Sequence, residues 1–357
     1  MNICHQLLIN EINNSELATL WIVDENLPAD LIPQVHSRET LCAVTNRAEL
    51  HNTLVINSIV SNISDFDFGD LFKNDKKLAG AKFSRVVYRV SKERAVVNHC
   101  INESFDNLSE GGELILIGEK HDGIKTHAKN AELVFSQKSR FKKQSTGYIA
   151  KLSKVKLDSP SLLDCHDYTK LRSVAINGFS FISKPGVFGW NKIDEGSKLL
   201  VETILNDEGI AQQKYQNALD LGCGWGYLTL ASSELDIDKR FASDNNFAAV
   251  LAAEANFKAR KMEVELSLDD CAKNLKGPFD LILCNPPFHR GFDVSEALTQ
   301  KFINTTYRLV ADDGIAIFVV NLFIPIAKLA EKNFSVQSLG KTKSFDVLRL
   351  SKRKKTA

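Results

Sequence analysis

Short apolar runs alternate with longer polar, periodic stretches along the whole chain, and this alternation predicts strands separated by helices. In the first 150 residues strands are predicted at 17–23, 53–57, 85–90 and 113–118, with helices near 40–51, 92–109 and 124–136. Strands in alternation with helices predict a parallel sheet. A further strand is predicted at 151–156. Pro160 then breaks the pattern, and 178–193 reads as a loop carrying Pro185, Gly186 and Gly189. The join falls near 155–170, so the organisation is 1–160 followed by 161–357. A helix is predicted at 198–205 with Asp194 as its N-cap. Beyond it come strands at 217–222, 240–244, 263–270, 280–285, 315–320 and 344–350, with helices from 227 and over 247–260.

Two stretches echo each other. Residues 107–117 (NLSEGGELILI) and 308–318 (RLVADDGIAIF) each read as a helix end, a glycine turn and an apolar strand. We read a duplicated α/β fold. In the first copy no glycine-rich turn follows any strand, so nothing there brings backbone N–H groups close to a ligand.

At 357 residues the chain suits two domains. With 44% hydrophobic and 25% charged residues it has the composition of a soluble globular protein. A net charge of +1 excludes a global field for nucleic acid, so any basic surface is local. The seven cysteines are scattered without a Cys-x-x-Cys pair, which points away from a disulfide framework or zinc site and towards a reducing compartment. The histidines show no metal-ligand spacing. No signal peptide is read at the N-terminus, and no apolar run approaches the roughly 18 residues that span a bilayer. A cytoplasmic protein, free of membrane and metal, is expected.

The chemistry lies in the second half. The apolar strand from Asp280 stops at Asn285-Pro286-Pro287-Phe288, because proline lacks the N–H a central strand needs. The Asn285 side chain is thereby placed at the carboxyl end of a strand, where open α/β sheets bind ligands. Its amide oxygen and the Pro286 carbonyl are two acceptors for the hydrogens of a planar amino group, and Phe288 is a flat face for stacking. Upstream, Gly222-Cys-Gly-Trp-Gly226 is a tight turn between strand and helix. Asp244, 18 residues after Gly226, ends the next strand as an acceptor for ribose hydroxyls. Asp269 and Asp270 end the third strand. Phe188 and Trp190, in the loop before the 198–205 helix, read as a lid, since exposed aromatic rings are costly.

This ordered set resembles the class I methyltransferases that use S-adenosyl-L-methionine, and the fold it implies is two tandem Rossmann-like domains, the N-terminal one degenerate. Over nearly the whole chain the resemblance is to the ribosomal RNA small subunit methyltransferase C family. It is most specific in Pro185-Gly-Val-Phe188, in Ile193-Asp194 with Gly196-Ser197, in Asn285-Pro-Pro-Phe-His289 and in Asn321-Leu-Phe-Ile-Pro325. The resemblance implies methyl transfer to the exocyclic N2 amino group of a guanine in 16S ribosomal RNA of the small subunit, by a monomer. It implies a first half that supports the second and helps bind RNA. It implies cofactor contacts at Asp220, Gly222, Gly224, Gly226, Asp244, Asn245, Asp270, Asn285, Phe188 and Asp194. It places catalysis at Asn285, Pro286, Pro287 and Phe288, and the substrate base against Phe288 and His289. Trp225, in the glycine turn, and the Asn245-Asn246-Phe247 run after Asp244 depart from the family pattern.

The alternatives are a large-subunit guanine-N2 methyltransferase, which shares the layout and the Asn-Pro-Pro-Phe-His tip, and methylation of adenine or protein glutamine, for which Asn-Pro-Pro-Tyr is more usual. The alternative of another class is a non-catalytic RNA-binding assembly factor. Local basic clusters at Lys138, Arg140, Lys142 and Lys143, and at 352–355, fit phosphate contacts as well as plain solvated surface.

Overall fold

The structure, a computed structural model, describes residues 2–68, 80–156, 160–176, 178–287, 289–290, 293–294 and 296–353. The chain forms two compact units, Met1–Lys170 and Leu171–Ala357.

The first unit runs α1 (Ile3–Asn13), β1 (Thr19–Val23), β2 (Leu41–Thr45), α2 (Ala48–Ile56), β3 (Val60–Ile63), β4 (Phe83–Arg89), α3 (Arg94–Asn107), β5 (Leu108–Glu119), α4 (Ile124–Phe135), β6 (Arg140–Gln144) and β7 (Gly147–Ser153). The second opens on the hairpin β8 (Arg172–Ile176) and β9 (Phe179–Ser183). It continues with α5 (Glu195–Asn206), α6 (Glu208–Ala211), β10 (Tyr215–Leu221), α7 (Tyr227–Ala231), β11 (Ile237–Asp244), α8 (Phe247–Ala259), β12 (Val264–Leu268) and β13 (Phe279–Cys284). The two-residue strands β14 (His289–Arg290) and β15 (Asp293–Val294) follow. Then come α9 (Glu296–Leu309), β16 (Val310–Asn321), α10 (Ile326–Ala330), β17 (Phe334–Lys341) and β18 (Phe345–Lys352).

Each unit is built on a seven-stranded sheet of the same order, β3-β2-β1-β4-β5-β7-β6 in the first and β12-β11-β10-β13-β16-β18-β17 in the second. In each sheet six strands run the same way and one, β7 in the first and β18 in the second, is reversed, so the sheets are parallel as expected except at that strand. In the second unit both faces of the central strands are covered. Leu219, Leu221, Ile282 and Phe318 pack with Phe302 and Ile303 of α9. Leu281, Leu283, Ile315 and Ile317 pack with Leu200, Val201 and Ile204 of α5. Burial on both sides accounts for the unbroken apolar run of β13.

Three expectations are corrected. Residues 53–57, rich in β-branched side chains, are the end of α2. Leu50 and Leu54, one helical turn apart, face the core, while Val55 and Ile56 point to solvent; tertiary placement overrides strand propensity. Residues 40–51 are not one helix, because Leu41–Thr45 is a strand buried at every position. The loop expected over 178–193 contains β9, paired with β8.

The duplication extends to the register. In both sheets the fourth strand meets the fifth, slips, and resumes: Phe83↔Leu108 then Arg85↔Glu113, and Phe279↔Val310 then Leu281↔Ile315. The glycine read as a turn lies inside the fifth strand at this slip. A Cβ on Gly112 would come 3.1 Å from the Phe83 carbonyl oxygen, and one on Gly314 would come 2.8 Å from that of Phe279. Carrying the registers through puts Arg89 where the second unit has Asn285, Val23 where it has Gly222, and Thr45 where it has Asp244. Arg89 is buried, 2.9 Å from the buried Asp122 carboxylate, and donates to the Val90 carbonyl. The first copy therefore holds a structural ion pair at the place of the asparagine.

Candidate functional site

In the second sheet the chain leaves β10 for β11 and β12 on one side, then returns to β13 on the other. The crevice between the carboxyl ends of β10 and β13 is thus the switch point where such sheets take ligands. Asp220 pairs with Leu283 in parallel register, which brings Gly222 level with Asn285 across two adjacent strands, at the roughly 4.8 Å spacing of a sheet.

Asn285 is half-buried, and both N–H groups of its amide are engaged. Nδ2 donates to Asp194 Oδ2 at 2.9 Å and to Ser197 Oγ at 2.7 Å. The same Asp194 oxygen accepts from the Ser197 backbone N–H at 2.8 Å, the N-cap bond that starts α5. With its donors used, the amide offers its carbonyl oxygen. Pro286 is buried and Pro287 exposed. Phe288 lies outside the described residues. His289 is described by its backbone, paired with Val294.

The turn after β10 is tied to β11 by Gly222 and Cys223 N–H donating to the Ser243 carbonyl. Its glycines have distinct work. Gly226 (φ +91°) has Phe257 2.7 Å from where a Cβ would sit, so it serves packing. Gly224 (φ +55°) has nothing within 4 Å there among the described residues, so its backbone borders open space among them. Trp225 does not crowd that space. It is 4% exposed and stacks on Phe181, centroids 4.0 Å apart, while its carbonyl accepts from Asn256 Nδ2. Asn256, buried in α8, also bonds both backbone groups of Ile182 and so ties the turn to β9.

Asp244 fastens the same turn, accepting from Gly224 N–H (2.8 Å) and Asn246 N–H (2.8 Å). Asn246 donates on to the Gly186 carbonyl, which anchors the 184–193 loop over the tip of β11; Asn245, between the two, is half-buried. Asp220 is 3% exposed. One oxygen accepts from Thr229 N–H and Oγ1, while the other is buried without a partner among the described residues. Burial, with Asp244 nearby, pushes its carboxyl up to about 7 against the Thr229 bonds. A buried acceptor left open suits a ligand bearing a donor or positive charge.

At the end of β12 the two acids separate. Asp269 is buried, and both oxygens accept from Asn274. Asp270 is half-buried and paired with Lys301 at 2.5 Å. Phe188 stands 71% exposed, whereas Trp190 packs against the Trp225 cluster beneath Arg172. The sequence reading did not single out Asn256, Asn274 or Lys301. The signal for Asn256 was present: a polar residue on the alanine face of α8, one turn after Ala252.

Residues 178–349 match the family of the methyltransferase small domain. The matched stretch lies within this unit and takes in β10 to β13 with Asp194, Asp220, Asp244 and Asn285. Over both units the chain is similar to ribosomal RNA small subunit methyltransferase C of Actinobacillus succinogenes, 27% identical over 266 residues (73% of this chain, 77% of that one). It is similar to the protein of that name from Pseudoalteromonas translucida, 28% identical over 279 residues (76% and 78%). The resemblance seen in the motifs therefore extends over about three quarters of the chain. The T. thermophilus 16S rRNA N2 G1207 methyltransferase, solved in complex with AdoMet and guanosine, matches with a TM-score of 0.79 at 23% identity, over 99% of this chain and 92% of that one. This shows the fold, two α/β units in tandem.

Proposed function

We propose that this chain transfers the methyl group of S-adenosylmethionine to the exocyclic N2 amino group of a guanine in 16S ribosomal RNA. The observation that carries the reading is the Asn285 amide, its two donors spent on Asp194 and Ser197 and its oxygen left for a substrate. An oxygen there, beside the Pro286 carbonyl, accepts the two hydrogens of a planar amino group. A guanine N2 is a weak nucleophile because its lone pair is delocalised into the ring. Holding both hydrogens aligns the lone pair and supplies much of what catalysis needs.

The methyltransferase domain fits the cofactor. The Gly224 backbone faces space free of side chains, the open Asp220 oxygen matches an ammonium, and Asp244 stands at the β11 tip for ribose hydroxyls. S-adenosylmethionine, when bound, supplies an electrophilic methyl on a sulfonium. Asn285 and Pro286 would keep the amino nitrogen in line with that methyl, and the proton the nitrogen loses would go to water. No side chain needs to act as a strong base. A guanine in structured RNA must be turned out of its stack to reach this crevice.

The named relatives act on the small subunit, and this favours 16S over large-subunit RNA. The test has two arms: calorimetric titration with S-adenosylmethionine, and methyl transfer from labelled cofactor to small and large subunits purified from a strain lacking the protein. Cofactor binding with label on the small subunit alone is expected. Label confined to large-subunit RNA overturns the substrate, and cofactor binding without transfer to any RNA overturns the reading.

A further inference from the structure

An asparagine amide is nearly symmetric in shape, and its terminal torsion has two wells about 180° apart. One presents oxygen to the substrate and the other presents NH2. Only the first accepts an amino group; the second repels it and welcomes a carbonyl or ring nitrogen. The side chain alone does not choose between them.

Here the choice is made by neighbours. Asp194 Oδ2 (2.9 Å) and Ser197 Oγ (2.7 Å) both take hydrogens from Asn285 Nδ2. A flipped amide would lose the Asp194 bond and set its oxygen against the carboxylate, while the Ser197 hydroxyl, which can donate as well as accept, would have to reverse its bond. Asp194 is itself fixed, because the same oxygen accepts the Ser197 N–H at the head of α5, and Ser197 is buried. Gly196 leaves the room this requires: a Cβ there would come 3.1 Å from Asp194 Oδ2 and 3.1 Å from the Phe345 ring.

We propose that Asp194 and Ser197 are positioning residues that lock the Asn285 amide with its oxygen towards the substrate, and so set the site's choice of an amino nitrogen. This rests on the methyl-transfer reading above and assigns Asp194 to Asn285 instead of to the cofactor.

The N-cap role of Asp194 lets the two possibilities be separated. Asp, Asn and Ser cap helices about equally well. D194N keeps an oxygen at the same reach, able to accept both bonds. D194S keeps the cap but is too short to hold Asn285. If Asp194 only caps α5, the two variants turn over alike. If it locks the amide, D194N stays within a fewfold of wild type while D194S loses kcat by roughly 10- to 100-fold. S197A, which keeps the backbone cap bond, loses part of the same activity. In every variant the Kd for S-adenosylmethionine holds within about twofold, since the lock acts on the substrate side.

D194S turning over as fast as D194N, with wild-type enzyme active on small subunits, overturns the lock alone. A weakened Kd for S-adenosylmethionine with kcat intact also overturns it and returns Asp194 to the cofactor. Wild-type protein that methylates no RNA overturns the underlying reading, and the lock with it.

Discussion

Asp220 is an acid held in the wrong place for an acid. Its folded carboxyl titrates at about 7 because burial, and then the Asp244 charge, oppose ionisation, against an ordinary value of about 3.9 in an unfolded chain. The folded state thus binds the proton more tightly than the unfolded state. Between those two values stability falls as pH rises, and above pH 7 the loss is complete. The cofactor-free protein is expected to lose thermal stability from about pH 4 to 7, at no more than roughly 1.4 kcal/mol per pH unit, and D220N is expected to flatten that slope. Affinity for S-adenosylmethionine is expected to run the other way. It tightens as pH rises through 7 and Asp220 ionises, and D220N binds weakly throughout. Melting curves and titrations over about pH 4–8 read both. The sequence showed Asp220 as part of a pattern but not its unpartnered oxygen, which exists only once Thr229 folds back on the other one.

At the scale of elements, the glycine turn was legible and its division of labour was not. Gly-x-Gly-x-Gly after a strand says that backbone must come close to something; which glycine meets ligand and which meets Phe257 depends on where α8 lies. G226A places a methyl 2.7 Å from that ring at positive φ, and is expected to cost about 2–4 kcal/mol of stability. G224A meets open space. It is expected to cost about 1 kcal/mol of stability but roughly tenfold or more in cofactor affinity. Denaturant melts and calorimetry separate the two. Trp225 shows the same limit. A large ring in the turn read only as a departure from the family pattern, and it is the stacking partner of Phe181 on a hairpin that the sequence presented as loop. Glycines and prolines marked that stretch as irregular; five residues of β9 are too few to declare a period.

For the whole molecule, the duplication was read from one pair of glycine–strand segments, and the structure carries it through sheet order and register. Val23, Thr45 and Arg89 take the places of Gly222, Asp244 and Asn285, and Arg89 is turned inward to Asp122. Removing one partner of a buried pair strands the other. D122A is expected to destabilise the first unit by about 3–5 kcal/mol while the Kd for S-adenosylmethionine, held by the second, is unchanged. Denaturation followed alongside cofactor titration checks both halves of that expectation.

The most direct test of the account is nucleoside analysis of small-subunit RNA after reaction with labelled S-adenosylmethionine, run with wild-type protein and with N285A. Wild type is expected to give N2-methylguanosine as the labelled nucleoside. N285A, at saturating cofactor, is expected to yield at least roughly a hundredfold less. Label on a different atom or base, or equal label from N285A, would contradict the claim that the Asn285 oxygen selects and orients a guanine amino group.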